Sequence, residues 1–171
     1  TIASERMARD MYLKPFEVVV KKAKPLSVMC AYSEWDGIPA AGNRWMLTDL
    51  LRGEWGFDGF VASDYGAVAM MADRHAVAAS KSDAASMAVE AGIDIEYPSL
   101  NCFRGLIQKV ADGTLSMDLI NQAVRRILSV KFRIGLFENP YADLKTTLKV
   151  TDCAEHRQLS LNVARKSIVL L

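Results

Sequence analysis

The segment "GFDGFVASDYGAV" (residues 56–68) places an acid, an aromatic residue and a glycine directly after a short apolar run. The run from Phe57 to Ser63 is short, bounded by glycine and almost continuously apolar, which predicts a buried β-strand with Asp64 at its carboxyl end. Two interpretations of Asp64 follow from this pattern. An aspartate after a strand often caps the next helix, whereas a carboxylate held at that position can act as nucleophile, general base or metal ligand.

The same pattern occurs on either side of this segment. Strands are also predicted at residues 25–32 and 93–97, so that Tyr32, Asp64 and Glu96 close three strands at intervals of 32 residues. Buried strands alternating with helices indicate a parallel sheet with right-handed crossovers, either an open doubly wound sheet or part of an eight-stranded barrel. Ligands bind at the carboxyl ends of the strands in both architectures, so we expect the three side chains to converge on one mouth.

Helices are predicted where apolar residues recur at helical spacing and capping residues precede them. They cover residues 4–11 with a cap at Ser4, 15–23, 43–51 with a cap at Asn43, 82–92 with a cap at Ser82, 103–110 and 116–135. Residues 138–160 have weak periodicity and predict a linker. Residues 161–171 predict a helix running into a strand. We therefore expect a first domain over residues 1–137 and the start of a second domain after the linker.

Composition excludes several classes of function. The formal net charge is +1, so no electrostatic field that would select nucleic acid or an anionic membrane is expected. No apolar run reaches the length of about 18 residues that a membrane span needs. Cys30, Cys102 and Cys153 form no CxxC pattern and predict buried thiols rather than a disulfide framework or a metal site. We expect no metal and no cofactor. The chain begins without methionine, which indicates truncation and leaves its cellular location undetermined.

Several motifs resemble glycoside hydrolase family 3, the family of β-glucosidases and related enzymes. The long segment is "VMCAYSEWDGIPAAGNRWMLTDLLRGEWGFDGFVASDYGAV" (residues 28–68), against a family pattern of roughly VMxxYNxxNGxP followed by LLxxxLRxEWGFxGxVxSDW. Further matches are "ERMARDMYLKPFE", "AVEAGIDIEYP" and "AVRRILSVKFRIGLFENPY", and "ARKSIVLL" is similar to the opening of the family's second domain. The resemblance covers practically the whole chain.

The resemblance implies an α/β fold, namely the C-terminal part of a (β/α)8 TIM barrel with a linker to a truncated α/β sandwich domain. It implies that Asp64 is the catalytic nucleophile, and that Met29, Tyr32 and Tyr65 contact the reacting sugar. The Tyr32 hydroxyl would hydrogen-bond the nucleophile and keep it ionised. Tyr65 stands where the family usually has tryptophan, which puts the sugar preference in question.

The implied function is that of a retaining exo-acting β-glycosidase, which removes terminal β-linked glucosyl residues from oligosaccharides or from aryl and alkyl β-glycosides. Family members with β-xylosidase or β-N-acetylglucosaminidase activity are alternatives, as is a non-catalytic carbohydrate-binding remnant of the barrel. The acid/base glutamate and the first barrel strands are expected outside this chain, so the chain alone is expected to be inactive. Arg52 and Glu96 are expected to fix loops. His75 is either a solvated loop residue or part of the sugar pocket.

Overall fold

The structure is a computed structural model that describes residues 2–170. The chain divides into two compact units, one ending at Ile134 and the other beginning at Gly135. The first unit contains the parallel sheet and the hydrophobic core, and its fold is α/β, rich in helix with few strands.

Helices and strands alternate along the first unit. Its helices are α1 (Glu5–Met7, continued by a π-helix Ala8–Tyr12), α2 (Lys14–Ala23), a π-helix Trp45–Glu54, α3 (Ala67–Asp73), α4 (Lys81–Ala91), α5 (Leu106–Ala111) and α6 (Met117–Arg133). Short 3₁₀ turns occupy Ala40–Gly42 and Phe103–Gly105. The strands are β1 (Ser27–Met29), β2 (Glu34–Trp35), β3 (Ile38–Pro39) and β4 (Phe60–Ala62).

The parallel sheet is formed by β1 and β4. Their register pairs Ser27 with Phe60 and Met29 with Ala62, so the carboxyl ends of the two strands lie side by side. A single parallel bridge joins Ala62 to Ile95 on the other side of β4. The antiparallel hairpin β2–β3 lies in the loop that follows β1. The predicted parallel arrangement is therefore confirmed for these segments.

The predicted strand at residues 93–97 is reduced to the bridge at Ile95. The reason is the side chain of Asp94, whose Oδ2 accepts a hydrogen bond from the Val61 N–H at 2.8 Å. That N–H would otherwise donate to a backbone carbonyl of the neighbouring strand. A side-chain carboxylate thus replaces one step of the backbone ladder.

The prediction of a buried strand at residues 25–32 is wrong for β1. Ser27 and Met29 are exposed, and Val28 is only partly buried. Among residues 2–170, β1 pairs with β4 alone, so one edge of the strand has no neighbour in the part of the chain that the structure describes. By contrast, Val61 and Ala62 of β4 are buried as predicted.

The core is a cluster of buried apolar side chains that includes residues of β4, the π-helix Trp45–Glu54, α3 and α4. Its largest fully buried side chains include Leu50, Val61, Val68, Met71 and Ile93. Burial of one such apolar side chain contributes about 1.5–3 kcal/mol. Alanines of α4 are also fully buried and allow close packing of this helix. The core therefore supports β4 more fully than β1.

Three of the six predicted helix starts are confirmed by capping hydrogen bonds. The side chains of Ser4, Asn43 and Ser116 each accept a hydrogen bond from a backbone N–H in the first turn of the following helix. The predicted cap at Ser82 is wrong. Ser80 caps α4 instead, since its Oγ accepts from the Asp83 N–H at 3.1 Å while donating to the Asp83 carboxylate at 2.7 Å.

The second unit contains α7 (Leu144–Val150) and α8 (Ala154–Ser167). The segment predicted as a linker thus includes α7 and the first half of α8. The predicted terminal strand is not formed, because residues 168–170 have no regular secondary structure. Nowhere in residues 2–170 is there a helix with the length and apolar character needed to cross a membrane.

Candidate active site

Asp64 follows β4 by two residues and is partly exposed. Its Oδ1 accepts a hydrogen bond from the Tyr65 N–H at 2.6 Å, and its carbonyl oxygen accepts one from the Ala67 N–H at 3.1 Å. The next helix, α3, has Gly66 as its N-cap residue and no side-chain capping hydrogen bond. The helix-cap interpretation of Asp64 is therefore wrong, and the chemical interpretation remains.

The backbone around Asp64 is tied to the segment containing residues 95–97. The Ser63 N–H donates to the Ile95 carbonyl at 2.9 Å, and the Gly66 N–H donates to the Tyr97 carbonyl at 3.1 Å. The Ser63 hydroxyl oxygen accepts from the Tyr97 N–H at 2.8 Å. Gly66 has φ of 76°, a conformation that glycine adopts without strain. These bonds hold the turn carrying Asp64 in one conformation.

Tyr32 approaches this turn from the neighbouring strand end. Its hydroxyl donates a hydrogen bond to the Tyr65 carbonyl at 2.7 Å. Desolvation raises the pKa of Tyr32, and its interaction with the Asp64 carboxylate raises it further. The hydroxyl donates to the Tyr65 carbonyl, and the expected hydrogen bond to the nucleophile stays a prediction. Tyr32 nonetheless lies close enough to Asp64 to interact with its carboxylate.

Met29 and Tyr65 lie on the exposed side of the same region. Met29 is the last residue of β1 and is in register with Ala62, two residues before Asp64. Tyr65 is 66% exposed, and its ring centroid lies 6.5 Å from that of Tyr97. The structure thus brings Tyr32, Asp64 and Tyr65 together, with Met29 on the adjacent strand.

Glu96 does not join this group, so the expected convergence of three strand-end residues is wrong. Its carboxylate is buried and accepts hydrogen bonds from the backbone N–H groups of Cys102 and Phe103, at 2.8–3.1 Å. The expectation that Glu96 fixes a loop is confirmed. Burial of the Cys102 thiol and, to a smaller extent, the nearby Glu96 carboxylate raise the pKa of that thiol to about 12.

Asp94 is a structural residue that the sequence pattern did not single out. Its side chain is only 1% exposed and accepts from Arg52 Nη2 at 2.7 Å and Arg126 Nη1 at 3.0 Å, in addition to the Val61 N–H. Arg52 also donates to the Gly59 carbonyl at 2.8 Å, which confirms the expectation that it fixes a loop. Arg52, Asp94 and Arg126 are far apart in the sequence, so their pairing has no local motif. The signal in the sequence is that each of these charged residues lies in a largely apolar segment.

His75 is not a solvated loop residue. Its side chain is 17% exposed, and its Nδ1 lies 3.7 Å from the Glu34 carboxylate of the β2–β3 hairpin. The loops after β1 and after α3 therefore meet through this pair. Within the described residues, no three His, Cys, Asp or Glu side chains form a group that could hold a metal ion.

A parallel sheet with an acid at a strand end is typical of α/β enzyme domains. Residues 1–130 match the profile described as the N-terminal domain of glycosyl hydrolase family 3. The chain therefore belongs to glycoside hydrolase family 3.

Named relatives of this chain fall into two activities. A β-xylosidase of Formosa agariphila is 37% identical over 175 residues, and a periplasmic β-glucosidase of Salmonella typhimurium is 35% identical over 175 residues. The alignments cover 98% and 99% of this chain but 24% and 22% of those proteins. A Listeria innocua β-glucosidase solved in complex with glucose has a TM-score of 0.84 and 37% identity over 92% of this chain and 22% of its own. The chain thus spans about a quarter of the length of these relatives.

Proposed function

We propose that this chain carries the nucleophile half of the active site of a retaining, exo-acting β-glycosidase that removes terminal β-linked glucosyl residues. The observation that carries the proposal is the carboxylate of Asp64, which is partly exposed at the end of a buried parallel strand. The turn that carries it is held by hydrogen bonds to residues 95–97. Such rigid support suits a group that must meet a carbon atom at a defined angle. Membership of family 3 and the β-glucosidases among the relatives support the substrate class.

In the proposed reaction, a carboxylate oxygen of Asp64 attacks the anomeric carbon while the bond from that carbon to the leaving oxygen breaks. A carboxylic acid about 5–5.5 Å away protonates the leaving oxygen. Water then attacks the same carbon and gives a proton to that second residue, which is now a carboxylate. Asp64 leaves as carboxylate, and the sugar is released with its original configuration. We expect the acid, the remaining sugar contacts and the first barrel strands to lie outside these 171 residues.

The domain organisation belongs to the same proposal. Residues 1–137 would form the C-terminal part of a (β/α)8 barrel, residues 138–160 the connection, and residues 161–171 the start of an α/β sandwich domain. The unpaired edge of β1 supports an additional strand beside it, since an exposed parallel edge is uncommon in a complete sheet.

β-Xylosidase activity is the second candidate, because β-xylosidases of Formosa agariphila and Xylanibacter ruminicola are 37% and 35% identical to this chain. Met29, Tyr32 and Tyr65 are the proposed sugar contacts in either case. Initial rates of the full-length gene product on matched aryl β-glucosides and aryl β-xylosides would separate the two. A higher kcat/KM for the xyloside would replace the first candidate by the second.

Covalent labelling tests the role of Asp64. A 2-deoxy-2-fluoro β-glucoside or β-xyloside should form a slowly hydrolysed ester with the full-length gene product, and peptide mass spectrometry should locate the sugar on Asp64. Asp64→Ala should lower kcat by about a thousandfold or more, because the nucleophile is lost. Asp58→Ala is the matched control, since Asp58 precedes β4 and forms an exposed ion pair with Arg133. A label on another residue, or near-normal turnover of Asp64→Ala, would refute the assignment.

A further inference from the structure

Tyr97 is the residue beside Asp64 to which neither the sequence motifs nor the proposed reaction assigns a role. Residues 91–96 are buried or partly buried, and Tyr97 is the first exposed residue after them, with 40% of its surface accessible. Its ring centroid lies 6.5 Å from that of Tyr65, with the ring planes inclined at 41°. The two tyrosines therefore form one aromatic pair next to the candidate nucleophile.

The position of this pair relative to Asp64 is set by the backbone. The N–H of Tyr97 donates to Ser63 Oγ and its carbonyl accepts from the Gly66 N–H, so both of its polar backbone groups bond to the turn that carries Asp64. Ser63 is 1% exposed, which keeps water from competing for its hydroxyl. Tyr97 and Asp64 consequently move as one unit.

Aromatic rings with an exposed face and a phenolic hydroxyl suit the binding of sugars. The apolar face of a pyranose ring can bury surface against an aromatic face, while a hydroxyl such as that of Tyr97 can exchange hydrogen bonds with sugar hydroxyls. Tyr32 directs its hydroxyl at the Tyr65 carbonyl and thus fixes the backbone of the other member of the pair. The pair therefore offers a preorganised surface rather than two independent side chains.

We propose that Tyr97 is a substrate-binding residue, whose ring lines the substrate cleft with Tyr65 and contacts the bound β-glycoside. The inference rests on the proposed function, since it requires the substrate to reach Asp64. Contacts made equally to substrate and transition state lower KM without changing kcat. Tyr97 acts in this way, because it contacts the glycoside without taking part in bond formation.

Steady-state kinetics of the full-length gene product test this role with Tyr97→Leu, which removes the ring, and Tyr97→Phe, which removes only the hydroxyl. Tyr97→Leu should raise KM for aryl β-glycosides about tenfold while kcat stays within about twofold. Tyr97→Phe should raise KM by a smaller factor, about threefold. Tyr12→Leu is the control, since Tyr12 is an exposed tyrosine of the helical segment Ala8–Tyr12 in the first unit and should leave KM unchanged.

The outcomes separate this inference from the proposed function. A wild-type protein that is active and labelled at Asp64, with an unchanged KM in Tyr97→Leu, would overturn the inference alone. A loss of thermal stability in Tyr97→Leu, with kcat and KM both preserved for the folded fraction, would make Tyr97 a packing residue and also overturn it. A wild-type protein that neither cleaves nor is labelled by any β-glycoside would overturn the proposed function and the inference together.

Discussion

The carboxyl ends of β1 and β4 lie side by side, yet their side chains are supported to different extents. The turn after β4 is bonded to residues 95–97 on one side, and Ala62 accepts a hydrogen bond from the Cys30 N–H on the other. Within residues 2–170, β1 has a strand partner on one side only, and its last residue, Met29, is exposed. The comparison teaches that Asp64, the residue expected to react, is held by neighbours on both sides. Met29 and Tyr32, two of the residues expected to contact sugar, lie at the end of a strand that has an open edge within residues 2–170.

Removal of the Asp94 carboxylate should have the largest effect, which is a loss of local stability in β4 and in the turn after it. Asp94→Ala leaves Arg52 and Arg126 without their shared acid and the Val61 N–H without its acceptor. Loss of one partner from a buried ion pair costs about 3–5 kcal/mol. Hydrogen exchange of a peptide covering residues 57–66, in the full-length gene product, should report this loss as faster local opening.

Asp58→Ala is the control for that experiment, because it removes an aspartate–arginine pair at the surface. The loss of an exposed ion pair costs less than about 1 kcal/mol. Equal exchange rates in the Asp94→Ala and Asp58→Ala variants would mean that Asp94 does not support β4.

A side chain at Gly59 should disturb the contact between β4 and β1. A Cβ atom there would collide with the Leu26 carbonyl, which precedes β1, and would lie 2.8 Å from the Phe57 ring. Overpacking of this kind costs about 1–3 kcal/mol, so Gly59→Ala should lower the urea midpoint of unfolding. Gly53→Ala is the matched control, since its nearest contact would be an ordinary 3.7 Å. A midpoint unchanged in both variants would show that the two strands tolerate separation.

The smallest effect is expected for the hydrogen bond by which Tyr32, which follows β1, contacts the turn that carries Asp64. Tyr32→Phe removes the hydrogen bond to the Tyr65 carbonyl, so exchange of the amides in residues 63–66 should rise by roughly threefold. The pKa of Tyr32 is raised in the folded protein, so its contribution is present below the ordinary tyrosine pKa of about 10 and is lost as pH rises through the folded value. The difference between wild type and variant should therefore vanish at high pH. A difference that persisted would mean that the hydroxyl proton is not involved.

The sequence predicted the parts of the fold that depend on local pattern. The buried character of β4, the parallel pairing with β1, the caps at Ser4 and Asn43, the helix start near Ser116 and the loop-fixing role of Glu96 are confirmed. The assignment of Met29, Tyr32, Asp64 and Tyr65 to the reaction stays a prediction. Wrong expectations concern the strand at residues 93–97, the cap at Ser82 and the burial of β1. The Asp94 side chain replaces part of the backbone pairing at residues 93–97, and the Ser80 side chain provides the cap of α4. β1 is exposed because it pairs with a single strand within residues 2–170.

The sequence by itself determined that an acid lies at the end of a short apolar strand, and it determined the motifs around that acid. Strand length and burial follow from the local pattern of apolar residues. The tertiary structure alone decided what surrounds that acid. Tyr97 bonds to Ser63 from 34 residues away, and Asp94 replaces a backbone acceptor for Val61 from 33 residues away. Such contacts depend on the relative placement of segments packed around the sheet, which no local periodicity encodes.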